Sequence, residues 1–134
     1  MPLKRRCVLV IDEDLNWKVA EELRRRGFRS TTSARERGLA GQGVKDPDWL
    51  DLLSREADPC VLVTFDNKMP VVHRDVILKL NSTLAVIDSR ADREGLTMEE
   101  YKREIIHRWA HRMAMQPPGT RYKYRLNGRT LLSL

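Results

Sequence analysis

Long apolar runs are scarce in this 134-residue chain, and their scarcity excludes two classes of protein. The first apolar run, Cys7 to Ile11, stops at Asp12 after five residues, whereas the core of a signal peptide needs about 7–15. No segment approaches the ~20 apolar residues of a membrane-spanning helix. We therefore expect a cytoplasmic protein that does not enter the membrane.

Cysteines and aromatic residues are also few. Cys7 and Cys60 lie in apolar surroundings and form no Cys-x-x-Cys or Cys/His pattern, so we expect buried, reduced thiols rather than a disulfide or zinc framework. Aromatic residues make up 6% of a chain that is 41% hydrophobic, which predicts a mainly aliphatic core. A chain of this length is typical of one compact domain, here residues 1–134.

The charge balance is basic. Lys and Arg number 25 against 19 Asp and Glu, which gives a formal charge of +6 and a pI of about 9.7. A positive field of this kind attracts phosphate backbones or an acidic partner, and it does not indicate a fold.

Apolar runs and periodic patterns alternate along the chain. They predict strands at 7–11, 28–32, 60–64 and 83–87 and helices from about 15 to 26, 46 to 57, 71 to 80 and 98 to 116. Strands that alternate with helices favour a three-layer α/β/α fold with a mostly parallel central sheet of four to five strands. The tail, 117–134, is predicted to form a β-hairpin in which Asn127-Gly128 makes a type I′ turn.

Three helix boundaries carry specific signals. Asp46-Pro47 is a strong start, with Asp as the N-cap and Pro at the first helical position. Thr97 to Glu100 reads as a capping box, and Gly27 as a residue that ends a helix.

Three aspartates form the candidate site. Asp12 and Asp66 follow the two most convincing strands, and ligands of open parallel sheets bind outside the carboxyl ends of strands. Asp46 starts a helix that leads back into the strand before Asp66, so it should begin on the same side. Converging carboxylates repel one another unless a cation neutralises them, and ligand sets made only of oxygen favour Mg²⁺ or Mn²⁺. Each acid also has a simpler interpretation: Asp46 and Asp66 as helix caps, and Asp12 as a solvated loop residue.

These residues resemble the PIN-like family, small nucleases that include toxins of bacterial toxin–antitoxin pairs. The resemblance covers about residues 8–69. It rests on Val10-Ile-Asp-Glu-Asp-Leu15, on Gly27-Phe28, on Arg37-Gly-Leu-Ala-Gly41 before Asp46, and on Val61-Leu-Val-Thr-Phe-Asp66. It implies a ribonuclease that uses Mg²⁺ or Mn²⁺ held by Asp12, Asp46 and Asp66, and an acidic antitoxin protein as partner.

The chain departs from the family pattern after its third acid. Where the family often has a further acid and then Phe, this chain has Lys68 and Met69. A second metal ion then lacks a ligand, which Asp14 or Asp88 would have to replace. The departure keeps open a protein that binds RNA or a partner through this fold without cleaving RNA.

A second resemblance is to response-regulator receivers, whose acidic cluster binds Mg²⁺ beside a phosphorylated aspartate. Asp66-Asn-Lys-Met-Pro70 is similar to the Asp-x-x-Met-Pro of that family, and Asp66 would be the phosphorylated residue. Asp12 and Asp66 are, however, 54 positions apart, longer than the receiver pattern, and no Lys-Pro follows Asp88.

Two basic segments admit two interpretations each. Arg24 to Arg26, Arg29, Arg35 and Arg37 would form a funnel that guides RNA to the acids, or would be ordinary solvated charges. Arg121-Tyr-Lys-Tyr-Arg125 interleaves cations and aromatics as single-strand binders do. Its tyrosines would equally pack on the domain or on the second subunit of a homodimer.

Overall fold

The computed structural model describes residues 7–37 and 46–134, with residue 46 described only as the first residue of its helix. Five helices and six strands occur in this part of the chain. In order they are β1 (Val8–Ile11), α1 (Lys18–Arg25), β2 (Thr32–Ser33), α2 (Asp46–Ser54), β3 (Cys60–Thr64), α3 (Met69–Val72), α4 (Arg74–Leu80), β4 (Leu84–Ile87), α5 (Met98–Ala114), β5 (Arg121–Arg125) and β6 (Gly128–Leu131). The predicted α/β class with a mostly parallel sheet is confirmed.

The strands form one sheet in the order β2-β1-β3-β4-β5-β6, and only β6 is antiparallel to its neighbour. Ile11 lies beside Val63, and Val63 lies beside Ala85, so β1, β3 and β4 end close to one another. We call this side of the sheet, where Asp12, Thr64 and Asp88 lie, the carboxyl edge. The side where these strands begin is the amino edge.

Alternate strand residues feed two apolar clusters, as the period of two in a strand requires. Leu9 and Ile11 of β1 pack in one cluster with residues of α1 and α5, which we call the α5-side cluster. Val10 of β1 and Leu62 of β3 pack in the other with residues of α2 and α4, the α4-side cluster. Both faces of the central strands are therefore buried, which explains their continuous apolar sequences.

The strand count differs from the prediction. Four to five strands were expected with the hairpin as an extension, whereas both hairpin strands belong to the sheet because β5 pairs in parallel with β4. The hairpin itself is confirmed, but its predicted turn is wrong. Gly128 pairs with Arg125, so the loop residues are Leu126 and Asn127, and neither is among the residues with positive φ. Leu126 is buried in the α5-side cluster, and this burial decides the turn.

Other element boundaries also differ, among them the start of α1, which is Lys18 and not residue 15. The strand predicted at 28–32 is replaced by a turn, in which the Thr31 N–H donates to the Phe28 carbonyl, and by the two-residue β2. The helix predicted over 71–80 is two helices that meet at His73. Helix α2 ends at Ser54, before the position expected.

No helix in the described ranges is both long enough and apolar enough to cross a bilayer. Cys7 and Cys60 are both free thiols, and Cys7 is buried while Cys60 is partly exposed. Burial raises the pKa of both thiols, that of Cys60 to about 11.

Candidate active site at the carboxyl edge

Asp12 is the first residue after β1 and is only 6% exposed. Its backbone N–H donates to the Val63 carbonyl at 2.9 Å, which extends the β1–β3 ladder by one residue. Its carboxylate Oδ1 accepts the Glu13 N–H at 2.8 Å. The chain thus holds a nearly buried carboxylate at the carboxyl edge of the sheet.

Thr64, the last residue of β3, connects Asp12 to Asp66. Its fully buried hydroxyl donates to Asp12 Oδ2 at 2.8 Å and accepts the Asp66 backbone N–H at 3.1 Å. This single hydroxyl sets the Asp12 carboxylate relative to the turn that carries Asp66. The sequence analysis did not select Thr64, because a threonine at a strand end is unremarkable without knowledge of the neighbouring strand.

Asp14 is the second carboxylate at this point. Its two carboxylate oxygens lie 3.1 and 3.3 Å from the Phe65 backbone N–H, and Oδ2 lies 3.4 Å from the Thr64 hydroxyl. The protein around the carboxyl group limits its hydration, and Asp12 adds repulsion. Together these raise the pKa of Asp14 to about 7, although the Phe65 N–H, Lys102 and Thr64 act in the opposite direction. The acidic triplet 12–14 was the signal for this residue, but the sequence alone ranked Asp14 below Asp46.

Asp66 lies two residues beyond β3, in the turn that enters α3. Its Oδ1 accepts the backbone N–H groups of Lys68 at 2.9 Å and Met69 at 3.2 Å. These bonds close the turn that precedes α3, whereas the N-cap of α3 is Lys68 and has no side-chain cap, so Asp66 caps the turn and not the helix itself. Both bonds fall on Oδ1, so Oδ2 carries neither of them. A capping role and a ligand role are therefore compatible in this residue.

Asp46 is the first residue of α2, and its side chain lies outside the described residues. The other end of α2, Leu53 and Ser54, lines a cleft with Pro59 and Thr83 at the amino edge. Nine helical residues span about 13 Å, so the first residue of α2 lies about that distance from this cleft along the helix axis. The predicted meeting of Asp46 with Asp12 and Asp66 stays a prediction.

The negative charge and the oxygen donors of the described acids suit a divalent cation. Asp12 and Asp14 are close enough to perturb each other, which is the repulsion that a divalent ion relieves, and all their donor atoms are oxygen. Within 7–37 and 46–134, no three Asp, Glu, His or Cys side chains lie together as metal ligands, so Asp12, Asp14 and Asp66 do not form such a group by themselves; the side chain of Asp46 is outside that search.

Two further side chains support this edge, and no sequence signal identified either. The Asn67 amide Nδ2 donates to the carbonyls of Phe65 and Ile87, at 2.9 and 2.8 Å, and so joins the ends of β3 and β4. Lys102 of α5 donates to the Asp14 carbonyl at 3.2 Å, and its Nζ lies 4.3 Å from the centre of the Phe65 ring. Both contacts connect segments far apart in sequence.

Three arginines of the predicted funnel make contacts within the domain. Arg24 pairs with Glu36 at 2.8 Å, and Arg37 pairs with Glu56 at 2.6 Å. The Arg26 guanidinium donates to the His107 carbonyl at 2.8 Å. These side chains join elements of the domain to one another.

The chain was compared with protein-family models, with curated proteins and with solved structures. None of the three comparisons gives a match.

Proposed function

We propose that this protein is a Mg²⁺- or Mn²⁺-dependent endoribonuclease of the PIN-like type, the cytoplasmic toxin of a toxin–antitoxin pair. The same proposal includes a three-layer fold like that of the family, in which the two apolar clusters lie on either side of the sheet. The observation that carries it is the pair of carboxylates, Asp12 and Asp14, at the Thr64 hydroxyl, which also accepts the backbone N–H of Asp66.

The described residues support specific roles. Asp12 and Asp66 would bind the ion together with Asp46, and Asp14 would add a fourth carboxylate in place of the acid that Lys68 replaces. The ion, when bound, would activate water and stabilise negative charge on an RNA phosphodiester. Thr64 would hold the Asp12 carboxylate in place, because its hydroxyl occupies Oδ2 on the buried side. In the metal-free protein the pKa of Asp14 is raised to about 7, so Asp14 would release its proton when the ion binds.

The test is cleavage of a labelled single-stranded RNA with and without Mg²⁺ or Mn²⁺. Wild type should cleave only with the ion, and Asp12→Asn and Asp66→Asn should each abolish cleavage while the thermal unfolding midpoint stays within a few degrees of that of wild type. Asp75→Asn is the matched control, because Asp75 is an exposed acid of α4. Cleavage that survives Asp12→Asn, or that needs no metal, would contradict the proposal.

One observation favours a receiver as the second candidate. The order β2-β1-β3-β4-β5 is the one that receivers share with other doubly wound proteins, and Lys123 of β5 lines the same cleft as Asp66. A shared strand order shows no activity by itself. Incubation with a small phosphodonor such as acetyl phosphate should label Asp66 in a receiver and leave the proposed nuclease unlabelled. RNA binding without any cleavage would instead favour the module that has lost catalysis.

A further inference from the structure

The net positive charge of the chain comes from its C-terminal part. Residues 105–134 contain no Asp or Glu and contain six cationic residues, Arg108, Arg112, Arg121, Lys123, Arg125 and Arg129. The other 104 residues carry 19 cations and 19 acids, so the C-terminal 30 residues account for the whole formal charge of +6. A negatively charged partner would therefore be attracted mainly to this end of the chain.

Strand β5 separates its cations from its aromatic residues. Tyr124 is fully buried in the α5-side cluster, and the partly buried Tyr122 packs against that cluster with the Arg129 guanidinium 4.2 Å from the centre of its ring, so both rings are engaged within the domain. Arg121 and Lys123 lie on the opposite face, beside Leu84 and Val86 of the α4-side cluster. This arrangement decides between the two interpretations of the tail: its tyrosines pack on the domain and its cations point elsewhere.

Lys123 extends this basic face to the acids. It lines an open cleft of about 620 Å³ at the carboxyl edge together with Lys68, Arg90 and Asp66. The three cations come from three different elements: the turn before α3, the loop after β4, and β5. Asp66 is the one carboxylate in this lining. Among the ion pairs in the described ranges, none uses these three cations.

The other wall of the cleft is apolar. Val71 and Val72 of α3 are 76% and 67% exposed, and both line the cleft. Cations opposite exposed apolar surface match a chain with a charged backbone and base faces that can lie on apolar side chains, as a single nucleic-acid strand has. An acidic polypeptide that carries apolar side chains would match both walls as well, so the choice of RNA follows from the position of the cleft beside Asp66 of the proposed nuclease site.

We propose that this cleft holds a single RNA strand beside the acids, with Lys68, Arg90 and Lys123 on its phosphates. The proposal rests on the ribonuclease function and adds to it the path of the substrate. In this view Lys68 contacts a phosphate at the position where the PIN-like family often has an acidic metal ligand. Because phosphates are the same in every sequence, binding in the cleft is independent of base sequence and sensitive to salt.

The experiment is RNA binding at several salt concentrations, measured by fluorescence anisotropy with a labelled single-stranded oligoribonucleotide of mixed sequence. EDTA prevents cleavage, so the readout does not depend on catalysis. Each of Lys68→Gln, Arg90→Gln and Lys123→Gln should reduce the slope of log K against log salt by about 0.7, the contribution of one phosphate contact on a single strand. Lys123→Arg should keep the wild-type slope.

Lys79→Gln is the charge-matched control. Lys79 is exposed in the last turn of α4, which leads into β4 at the amino edge, so its loss should leave the slope unchanged. The proposal is overturned if wild type does not bind the oligonucleotide, or if Lys123→Gln and Lys79→Gln behave alike. It is also overturned if poly-glutamate binds as tightly as RNA and is weakened by the same variants, because the cleft would then fit an acidic protein.

The two proposals fail separately. Loss of salt-dependent binding in the cleft variants without any metal-dependent cleavage by wild type would retain the RNA path and remove the nuclease. Metal-dependent cleavage by wild type, together with a salt dependence of RNA binding that the cleft variants leave unchanged, would retain the nuclease and remove the RNA path.

Discussion

At the scale of single residues, the carboxyl edge depends on how a few polar atoms are shared. The Thr64 hydroxyl has one hydrogen, and it serves Asp12 at 2.8 Å rather than Asp14 at 3.4 Å. Asp14 is left with the Phe65 N–H and with Lys102 nearby. Limited hydration of its carboxyl group and then repulsion by Asp12 raise the pKa of Asp14 to about 7, and the long contact with Thr64 is the smallest of the effects that lower it.

The stability of the metal-free protein should therefore depend on Asp14 near neutral pH. Its folded pKa of about 7 lies above the unfolded value of about 3.9, so the folded state binds more protons between these pH values. The contribution of Asp14 is present below pH 4 and is lost as the pH rises through 7. The residue as a whole is exposed, so solvent screening keeps the effect well below the full linkage value.

The measurement is urea unfolding in EDTA at pH 5, 6, 7 and 8. Wild type should lose stability relative to Asp14→Asn as the pH increases. Parallel pH profiles for the two proteins would show that the carboxyl group of Asp14 titrates normally.

Thr64 can be tested by removing its hydroxyl at nearly constant shape. Thr64→Val leaves Asp12 Oδ2 without this donor in a buried position and should lower the free energy of unfolding by about 1–3 kcal/mol. Thr64→Ser keeps the hydroxyl and should lose less. A loss in Thr64→Ser with none in Thr64→Val, which keeps the methyl group, would mean that packing of the methyl group, and not the hydrogen bond, is what matters.

At the scale of elements, the sequence predicted those strand and helix boundaries that interactions between neighbouring residues determine. The strand 60–64 has the predicted bounds, and α5 begins with the predicted capping box, in which the Thr97 hydroxyl accepts the Glu100 N–H and the Glu100 carboxylate accepts the Thr97 N–H. Gly27 ends α1 with φ +103°, a conformation that favours glycine. These signals lie within a few residues of the boundaries they determine.

The capping box makes a quantitative prediction. Thr97→Ala removes the acceptor for the Glu100 N–H and should lower the free energy of unfolding by about 1 kcal/mol. Thr97→Ser, which restores the acceptor, should recover most of it in the same urea titration. A loss in Thr97→Ala within experimental error of zero would contradict the role of the cap.

Element predictions failed where distant contacts decide. Phe28 to Thr31 looked like a strand, but the Phe28 N–H donates to Leu23 to close α1, and only Thr32 and Ser33 pair with β1. The Asn127-Gly128 pair suited a tight turn, but burial of Leu126 shifted the loop by one residue. In both cases a tertiary contact outweighs the local preference.

At the scale of the whole molecule, a ligand that binds only the folded state stabilises it. A divalent ion at the carboxyl edge should raise the thermal unfolding midpoint, by the equivalent of about 2.7 kcal/mol when its concentration is 100 times its Kd. Differential scanning fluorimetry with Mg²⁺ or Mn²⁺ against EDTA measures this shift. It should be larger at pH 8 than at pH 5, since Asp14 must lose its proton to bind.

Asp12→Asn should remove the shift, and Asp75→Asn, an exposed acid on α4, should retain it. A midpoint that Mg²⁺ and Mn²⁺ leave unchanged in wild type would remove the metal centre from the proposal, whatever RNA binding shows.

The sequence by itself determined the alternation of strands and helices, the places of Asp12 and Asp66 after two buried strands, and the basic charge. These follow from local periodicity and composition, which a single chain displays. Only the tertiary structure placed Thr64, Asp14 and Lys102 in contact, joined the hairpin to the sheet, and brought Lys123 of β5 to the cleft beside Asp66. Those relations join residues up to 88 positions apart, and no short-range pattern encodes the register that creates them.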